Sequence, residues 1–174
     1  MQTILKKGIK YDGRALIIAS QGTRSSSATL DAYKYLVEDL KINPNSLGDE
    51  GENVLHNLVR KQKQEDIIAY FLAKGVDVNH QDKAGNSVLM NATRGNLELV
   101  KTFISKVKDV NAINSKGLSA LSFAVENGSP EMVGFLLANG AKTNVIDAKG
   151  NNLAYYLIQS VRKDGKEKKK KKLS

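Results

Sequence analysis

Apolar and polar positions alternate along the chain in a cycle that returns at a nearly constant spacing. Four segments carry this cycle, GENVLHNLV, GNSVLMNAT, GLSALSFAV and GNNLAYYLI, and their leading glycines are 34, 32 and 33 residues apart. Each segment has an asparagine or serine two positions after its glycine, where the side chain can cap the first turn of a helix. A fixed period of this length indicates stacked supersecondary units.

Each cycle predicts two short helices joined by a turn. In GLSALSFAVENGSPEMVGFLLANG the first helix is predicted over 119–127 and ends at Gly128. The second begins at Ser129-Pro130-Glu131 and closes at Gly140, because proline suits the first helical position and glycine the left-handed residue after the last turn. Neither helix can bury its apolar face alone, so each pair must pack against its neighbours.

Polar arms connect the cycles, and their asparagines and aspartates recur at fixed positions. An asparagine stands six residues before each glycine, and three residues before the last three glycines stand Asp82, Asn114 and Asp147. Aspartate and asparagine side chains bond the backbone of their own turn, so we expect tight tips here.

The pattern resembles the ankyrin-repeat family. The resemblance rests on the frames GENVLHNL, GNSVLMNA and GLSALSFA, the second helices IIAYFLAKG and EMVGFLLANG, and the arms VDVNHQD and KDVNAIN. The family pattern D-x-x-G-x-T-P-L-H-x-A is only partly kept, because the proline slot holds Val54, Val88, Ala120 and Leu153, and only His56 fills the histidine slot. The resemblance implies a divergent array with an all-α fold, an ankyrin-type solenoid of helix-turn-helix repeats with projecting hairpin arms.

The cycle boundaries divide the chain into successive units. We predict the end of a preceding repeat (1–11), a stretched first repeat (12–48) with a loop insert (21–28), three repeats (49–81, 82–113 and 114–146), a partial last repeat (147–161) and a disordered lysine-rich tail (162–174). Because both ends fall inside a repeat, we expect the chain to be a segment of a longer ankyrin-repeat protein.

Charge changes this picture only at the C-terminal end. The chain carries a net charge of +9, and residues 162–174, with eight basic and two acidic side chains, supply +6 of it. The chain has no cysteine, which excludes a disulfide framework and a thiolate metal site. No signal peptide or membrane-spanning run is visible, so a cytoplasmic location is the default expectation and the compartment is otherwise open.

Candidate catalytic chemistry is sparse. His56 and His80 lack a third spaced ligand, which makes a metal site weaker than a structural role in bonding neighbouring turns. The carboxylates near Gly51 could suggest acid–base work or calcium binding, but a solvated turn tip accounts for them more simply. Nothing in the sequence assembles a nucleophile, a base and oxyanion donors, so we predict no enzyme activity, no cofactor and no metal.

The resemblance implies non-catalytic protein–protein interaction through the hairpin tips and the concave face. The matching tip positions are Asp49, Glu50, Glu52, Lys83, Asn86, Ser115, Lys116, Leu118, Lys149 and Asn151. On the exposed ends of first helices they are Arg60, Arg94, Glu126 and Asn127.

Two details of this interface follow from the tip residues. Tip charge runs from acidic to basic along the array, which would orient a partner of opposite gradient. Leu118 fills a slot that is polar in the other repeats, so we expect it to be an exposed apolar anchor, although single exposed leucines need no function.

Two other functions stay open at this point. The lysine-rich tail could be the active part and dock weakly to nucleic acid or an anionic membrane, with the repeats as passenger. Alternatively, the array could target a larger enzyme. In addition, Leu153, Leu157 and Ile158 of the last helix predict an uncovered apolar face and end-to-end self-association.

Overall fold

A computed structural model of the protein describes residues 12–22, 28–61, 63–95 and 97–172, with side chains as far as Arg162. The predicted repeat end at 1–11 and residues 23–27 of the predicted insert lie outside the described residues. The helices are α1 (Arg14–Gln21), α2 (Leu30–Lys34) continuing as a π-helical turn (Tyr35–Asp39), α3 (Val54–Leu58), α4 (Glu65–Ala73), α5 (Val88–Ala92), α6 (Leu97–Ile104), α7 (Ala120–Glu126), α8 (Pro130–Ala138) and α9 (Leu153–Lys172).

The helices pack as a solenoid. Within the repeats α3 packs on α4, α5 on α6 and α7 on α8, while the first helices α1, α3, α5, α7 and α9 stack in chain order. In the part of the chain that the structure describes, extended pairing is limited to isolated bridges in the arms, Gln81 with Ser87, Ile113 with Ser119 and Ile146 with Asn152. The predicted all-α solenoid is therefore confirmed.

One apolar core runs through the stack. Leu55, Leu89 and Leu121 occupy the same slot of successive first helices, and each is at most 1% exposed. Phe71 and Phe103 fill the same core from the second helices and are fully buried. Each such side chain contributes about 1.5–3 kcal/mol when it leaves water, so stability is shared along the array.

The predicted helix caps are confirmed. The side chains of Asn53, Ser87 and Ser119 each accept a hydrogen bond from the backbone N–H three residues later, at 3.2 to 3.3 Å. Asn152 does the same for α9 at 3.2 Å. These bonds satisfy donors that the first turn leaves without a partner, which fixes where each short helix begins.

The structure corrects two of the predicted boundaries, the start of the loop insert and the end of the last helix. Helix α1 continues through Gln21, so the predicted insert begins one residue later. Helix α9 does not end at residue 161, and the tail that was predicted to be disordered is helical as far as Lys172. The reason is that lysine, arginine and glutamate favour helix, so a helix nucleated on the packed repeats propagates through them. Among the described helices, none is both long and apolar enough to cross a membrane.

Candidate partner-binding site

The hairpin tips form a row in which each tip is bonded to the next. The backbone N–H of Lys83 donates to the Glu50 carbonyl, and that of Ser115 donates to the Ala84 carbonyl, both at 2.9 Å. The N–H of Ala148 donates to the Lys116 carbonyl at the same distance. The spacing of the tips is therefore fixed by backbone atoms, which leaves side chains at the tips available for other contacts.

Each of the three later tips is built around its own aspartate or asparagine, as the sequence predicts. The Oδ1 atom of Asp82 accepts from the backbone N–H groups of Ala84 (2.9 Å) and Asn86 (2.8 Å). Asn114 and Asp147 accept equivalent pairs in their own tips, at 2.8 to 3.0 Å. The tips are thus small closed turns with a defined shape.

The glycines that lead the frames allow the tips to stack closely. Gly85 and Gly117 both have φ of +74°, a conformation that disfavours residues with a side chain. A Cβ atom on Gly117 would lie 3.0 Å from the Asp147 Cα of the next tip. Glycine is therefore required here by its own conformation and by the neighbouring backbone.

The slot after the tip glycine points inward, which corrects the prediction for Leu118. Leu118 is only 8% exposed and belongs to the core. In two other repeats this slot holds a half-buried asparagine, Asn86 or Asn151, whose amide donates to the aspartate of its own tip at 2.9 Å. The third tip has Asn114 in place of that aspartate, and its amide donates across to the Asn86 side chain at 2.9 Å. A polar residue at 118 would therefore lack the tip aspartate to which Asn86 and Asn151 donate, and leucine fills the space instead.

Glu52 is also placed inward rather than at the tip surface. It is 9% exposed, and its carboxylate accepts from the Glu50 backbone N–H at 3.0 Å and from the Gln21 amide at 3.2 Å. The first tip has Gly48 where later tips have aspartate or asparagine, so Glu52 supplies the missing acceptor from the other side of the turn. Glu52 therefore has a structural role, which corrects its prediction as a partner contact.

Nine of the remaining predicted site residues are exposed. Glu126 is half-buried, and the exposed residues are Asp49, Glu50, Arg60, Lys83, Arg94, Ser115, Lys116, Asn127 and Lys149.

Two adjoining grooves lie between the tips and the first helices. The larger, which we call the basic groove, has a volume of about 620 Å³ and is lined by Arg94, Lys116, Leu118, Phe123, Glu126, Asp147, Lys149 and Tyr155 together with neighbouring polar residues. The smaller has a volume of about 310 Å³ and is lined in part by Glu50, Glu52, Arg60 and Arg94. The structure thus brings most of the predicted residues together on one surface, whereas Asp49, Lys83 and Asn127 line neither groove.

Aromatic side chains form part of the basic groove, and sequence reasoning missed them. The Arg94 guanidinium lies over the Phe123 ring, 4.6 Å from its centroid, in a cation–π contact. Tyr155 is 44% exposed and contacts Tyr156 edge-to-face at 5.3 Å. In the sequence, Tyr156 stands six residues after its frame glycine, as Phe123 does in the previous repeat, so the register aligns these two rings but does not show that they line a groove.

One carboxylate of the basic groove is already engaged. The Tyr156 hydroxyl donates to Asp147, and this bond holds the pKa of the Asp147 carboxyl well below its usual range. Burial, followed by the Asp147 carboxylate, raises the pKa of Tyr156 to about 12. Asp147 therefore stays ionised and, through its bond to Tyr156, holds helix α9 to the tip that precedes it.

His56 has the structural role that the sequence favours. It is 2% exposed, and its Nε2–H donates to the Asn86 carbonyl of the next repeat at 3.0 Å. Burial lowers the pKa of His56, which keeps the ring neutral. His80 lies edge-on to it at 5.8 Å, and its Nε2 donates to the Gly51 carbonyl at 2.6 Å. Among the described residues, histidines and carboxylates form no group of three or more that could hold a metal ion.

The stacked helix pairs, the bonded row of tips and the grooves beneath them define a helical-repeat protein. The chain belongs to the ankyrin-repeat family, because the family model for ankyrin repeats, which contains three copies, matches residues 55–147. Ankyrin repeats generally serve as protein–protein interaction modules, and such domains are typically non-catalytic.

The chain is similar to segments of several much longer proteins. It is 29% identical over 134 residues to the nuclear factor NF-kappa-B p105 subunit of Rattus norvegicus, a match that covers 70% of the chain and 14% of that protein. It is 27% identical over 138 residues to the phosphocholine transferase AnkX of Legionella pneumophila, covering 78% of the chain and 14% of that protein. It is 28% identical over 107 residues to the ankyrin repeat and KH domain-containing protein mask of Drosophila melanogaster, covering 60% of the chain and 3% of that protein.

Proposed function

We propose that the protein binds a partner protein without catalysis, through the hairpin tips and the basic groove. The observation that carries the proposal is the row of tips joined by backbone hydrogen bonds of 2.9 Å. Because the backbone fixes each tip, exposed side chains such as Glu50 and Lys116 are not needed to hold the fold. They lie on a surface that is already ordered, and a partner loses less conformational entropy to such a surface.

The charge along the row supports a partner that binds in one direction. The first tip exposes Asp49 and Glu50, while the following tips expose Lys83, Lys116 and Lys149. Complementary charge on a partner raises the rate of association and disfavours the reversed orientation.

The groups best suited to acid–base chemistry have structural partners, which supports a non-catalytic role. The His56 ring bonds a neighbouring backbone carbonyl, and Asp147 accepts hydrogen bonds from Tyr156 and Asn151. A general base needs reach to a substrate proton, and these two groups are turned towards the protein itself.

A site-resolved cross-linking experiment tests the proposal. A photoreactive phenylalanine analogue is placed at Lys116 or Arg94 on the proposed surface, or at the exposed Glu131 or Lys142 away from it, in cells that make the protein. We expect cross-linked partner protein from the first two positions and none above background from the second two. Equal cross-linking from all four positions, or cross-linking only from Glu131 and Lys142, would contradict the proposed surface.

A further inference from the structure

The basic groove carries three cations that have no carboxylate partner among the described residues. Arg94, Lys116 and Lys149 line the groove and take part in none of the ion pairs formed by the described side chains. An exposed cation in water has little energetic need of a partner, but three that line one concavity concentrate positive potential there. The groove is therefore suited to an anionic group.

The two lysines are placed by equivalent positions of neighbouring tips. Each stands immediately before the glycine of its tip, and the Ala148 N–H donates to the Lys116 carbonyl between them at 2.9 Å. The same slot holds Glu50 and Ala84 in the two earlier tips. Because packing accepts glutamate and alanine there, it does not require lysine, and the paired charge is a property of this part of the surface.

The opposite wall positions the third cation. Arg94 follows helix α5, and its guanidinium is held over Phe123 at 4.6 Å from the ring centroid. Contact of this kind limits the side-chain motion of arginine, and the guanidinium keeps N–H donors for other partners. A planar carboxylate can accept two parallel hydrogen bonds from such a guanidinium.

The remaining groups of the groove favour a peptide over a polyphosphate chain. Glu126 and Asp147 line the same groove and would repel successive phosphates of a nucleic acid. A peptide can place one carboxylate at the cations and direct its own N–H groups elsewhere. Tyr155 also lines the groove and, at 44% exposure, offers an aromatic surface to a neighbouring apolar side chain.

We propose that the basic groove binds an extended segment of the partner that carries an aspartate or glutamate between Arg94, Lys116 and Lys149, with an apolar residue beside it against Tyr155. This inference rests on the proposed function and names the chemistry of the segment that the groove accepts.

The test uses the full chain and a random peptide library displayed on phage. Peptides selected on the protein are synthesised as found and with each acidic residue changed to its amide. Their affinities are measured for the natural chain, for K116A/K149A and for K108A/K142A. The last variant removes the same charge from two exposed arm lysines that line neither groove. Oligothymidylate serves as the nucleic-acid probe.

We expect selected peptides to contain a carboxylate whose conversion to amide weakens binding about tenfold or more, as expected for loss of a charge-assisted hydrogen bond. K116A/K149A should weaken binding by a similar factor and K108A/K142A should not. Peptides that need the groove lysines but not their own carboxylate would overturn this inference and leave the proposed function standing. Peptides insensitive to K116A/K149A would contradict the proposed function as well. Tighter binding of oligothymidylate than of any selected peptide would assign the groove to nucleic acid instead.

Discussion

One position of the repeat completes the helix cap with three different side chains. His56, Met90 and Ser122 each stand three residues after a helix cap, and the cap backbone N–H donates to a side-chain nitrogen, sulfur or oxygen respectively. Only His56 also reaches the next repeat, through its bond to the Asn86 carbonyl. The capping role therefore tolerates change, whereas the link between repeats depends on the imidazole.

The buried neutral state of His56 predicts a loss of stability in mild acid. Burial lowers the pKa of His56 below its ordinary 6.5. At pH values between the folded-state pKa and 6.5 the unfolded chain binds more protons than the folded chain, so the free energy of unfolding falls as pH falls through this window. Urea unfolding followed from pH 8 to pH 5 should reveal this fall.

The matched variant is His56→Met, because methionine fills the same slot at Met90 in the next repeat. This variant should be less stable at neutral pH, through loss of the bond to Asn86, but less sensitive to acid. An equal pH dependence in both proteins would mean that other groups cause it.

The glycines of the tips predict a graded pair of stability losses. Gly117 and Gly150 both have positive φ, of +74° and +82°. Alanine at Gly150 meets no atom within 4 Å, so its cost should be conformational only, about 1–2 kcal/mol. Alanine at Gly117 would also crowd the backbone of Asp147 at 3.0 Å, and we expect a clearly larger loss. Chemical denaturation measures both, and equal losses would show that the neighbouring tip yields to the added methyl.

At the scale of the element, the arms are joined by asparagine side chains. The Asn79 amide donates to the Lys106 carbonyl at 3.1 Å and its oxygen accepts from the Lys108 N–H at 2.8 Å. Asn111 makes the same two bonds one repeat later, to the Gly140 carbonyl and from the Lys142 N–H. These bonds account for the asparagine that stands six positions before Gly85 and before Gly117.

Removing one of these links should weaken the array at a known place. Asn111→Ala leaves the Gly140 carbonyl and the Lys142 N–H without their protein partner, and we expect a loss of about 1–2 kcal/mol in unfolding free energy. Asn144 holds the same slot in the last arm and is exposed, so Asn144→Ala should change stability by less than about 0.5 kcal/mol. A comparable loss in both variants would indicate that the arm conformation, and not the link, is affected.

The helix starts and the tips could be predicted from the sequence because each depends on residues within a few positions. Asn53, Ser87 and Ser119 act on their own helices, and Asp82 acts on its own turn. The inward placement of Leu118 could not, because it follows from Asn114 donating to a side chain in another repeat.

Two other features lay outside the reach of the sequence for similar reasons. The groove aromatics belong to the site only because α5, α7 and α9 stack side by side, a relation that no local pattern states. The extent of α9 does not follow from the sequence, because a run of lysines is compatible both with a solvated coil and with continuation of an existing helix.

For the whole molecule, the end of α9 should be dispensable for the fold. Ser160 is the last side chain described as buried. Among the described helices, α7 is the only one with which α9 makes extensive contact. A chain lacking residues 163–174 should melt within a few degrees of the natural chain. A large loss would mean that these residues pack on the repeats. If the shortened chain loses its main cellular interaction but keeps its fold, the lysine-rich end is the binding element and the repeats are its carrier.

The uncovered face of α9 predicts self-association at high concentration. Leu157 and Ile158 are 54% and 52% exposed, as the sequence suggests, and Leu153 is half-buried. Leu157→Ser should reduce association in sedimentation velocity experiments, because it removes apolar surface from the contact. Ile113→Ser is the control, since Ile113 is 56% exposed on an arm. Sedimentation of the natural chain as a monomer throughout would contradict the prediction.

The bonded row of tips also sets the residue spacing at which a bound extended strand can contact successive tips. Neighbouring packed helices are roughly 8–10 Å apart, and an extended chain advances about 3.3 Å per residue. Lys116 and Lys149 hold the same slot of tips whose backbones are joined, so they face positions about three residues apart in a bound strand. Recognition elements in the partner would then recur at every third residue, and inserting a single residue between two of them would place the second out of step with its tip.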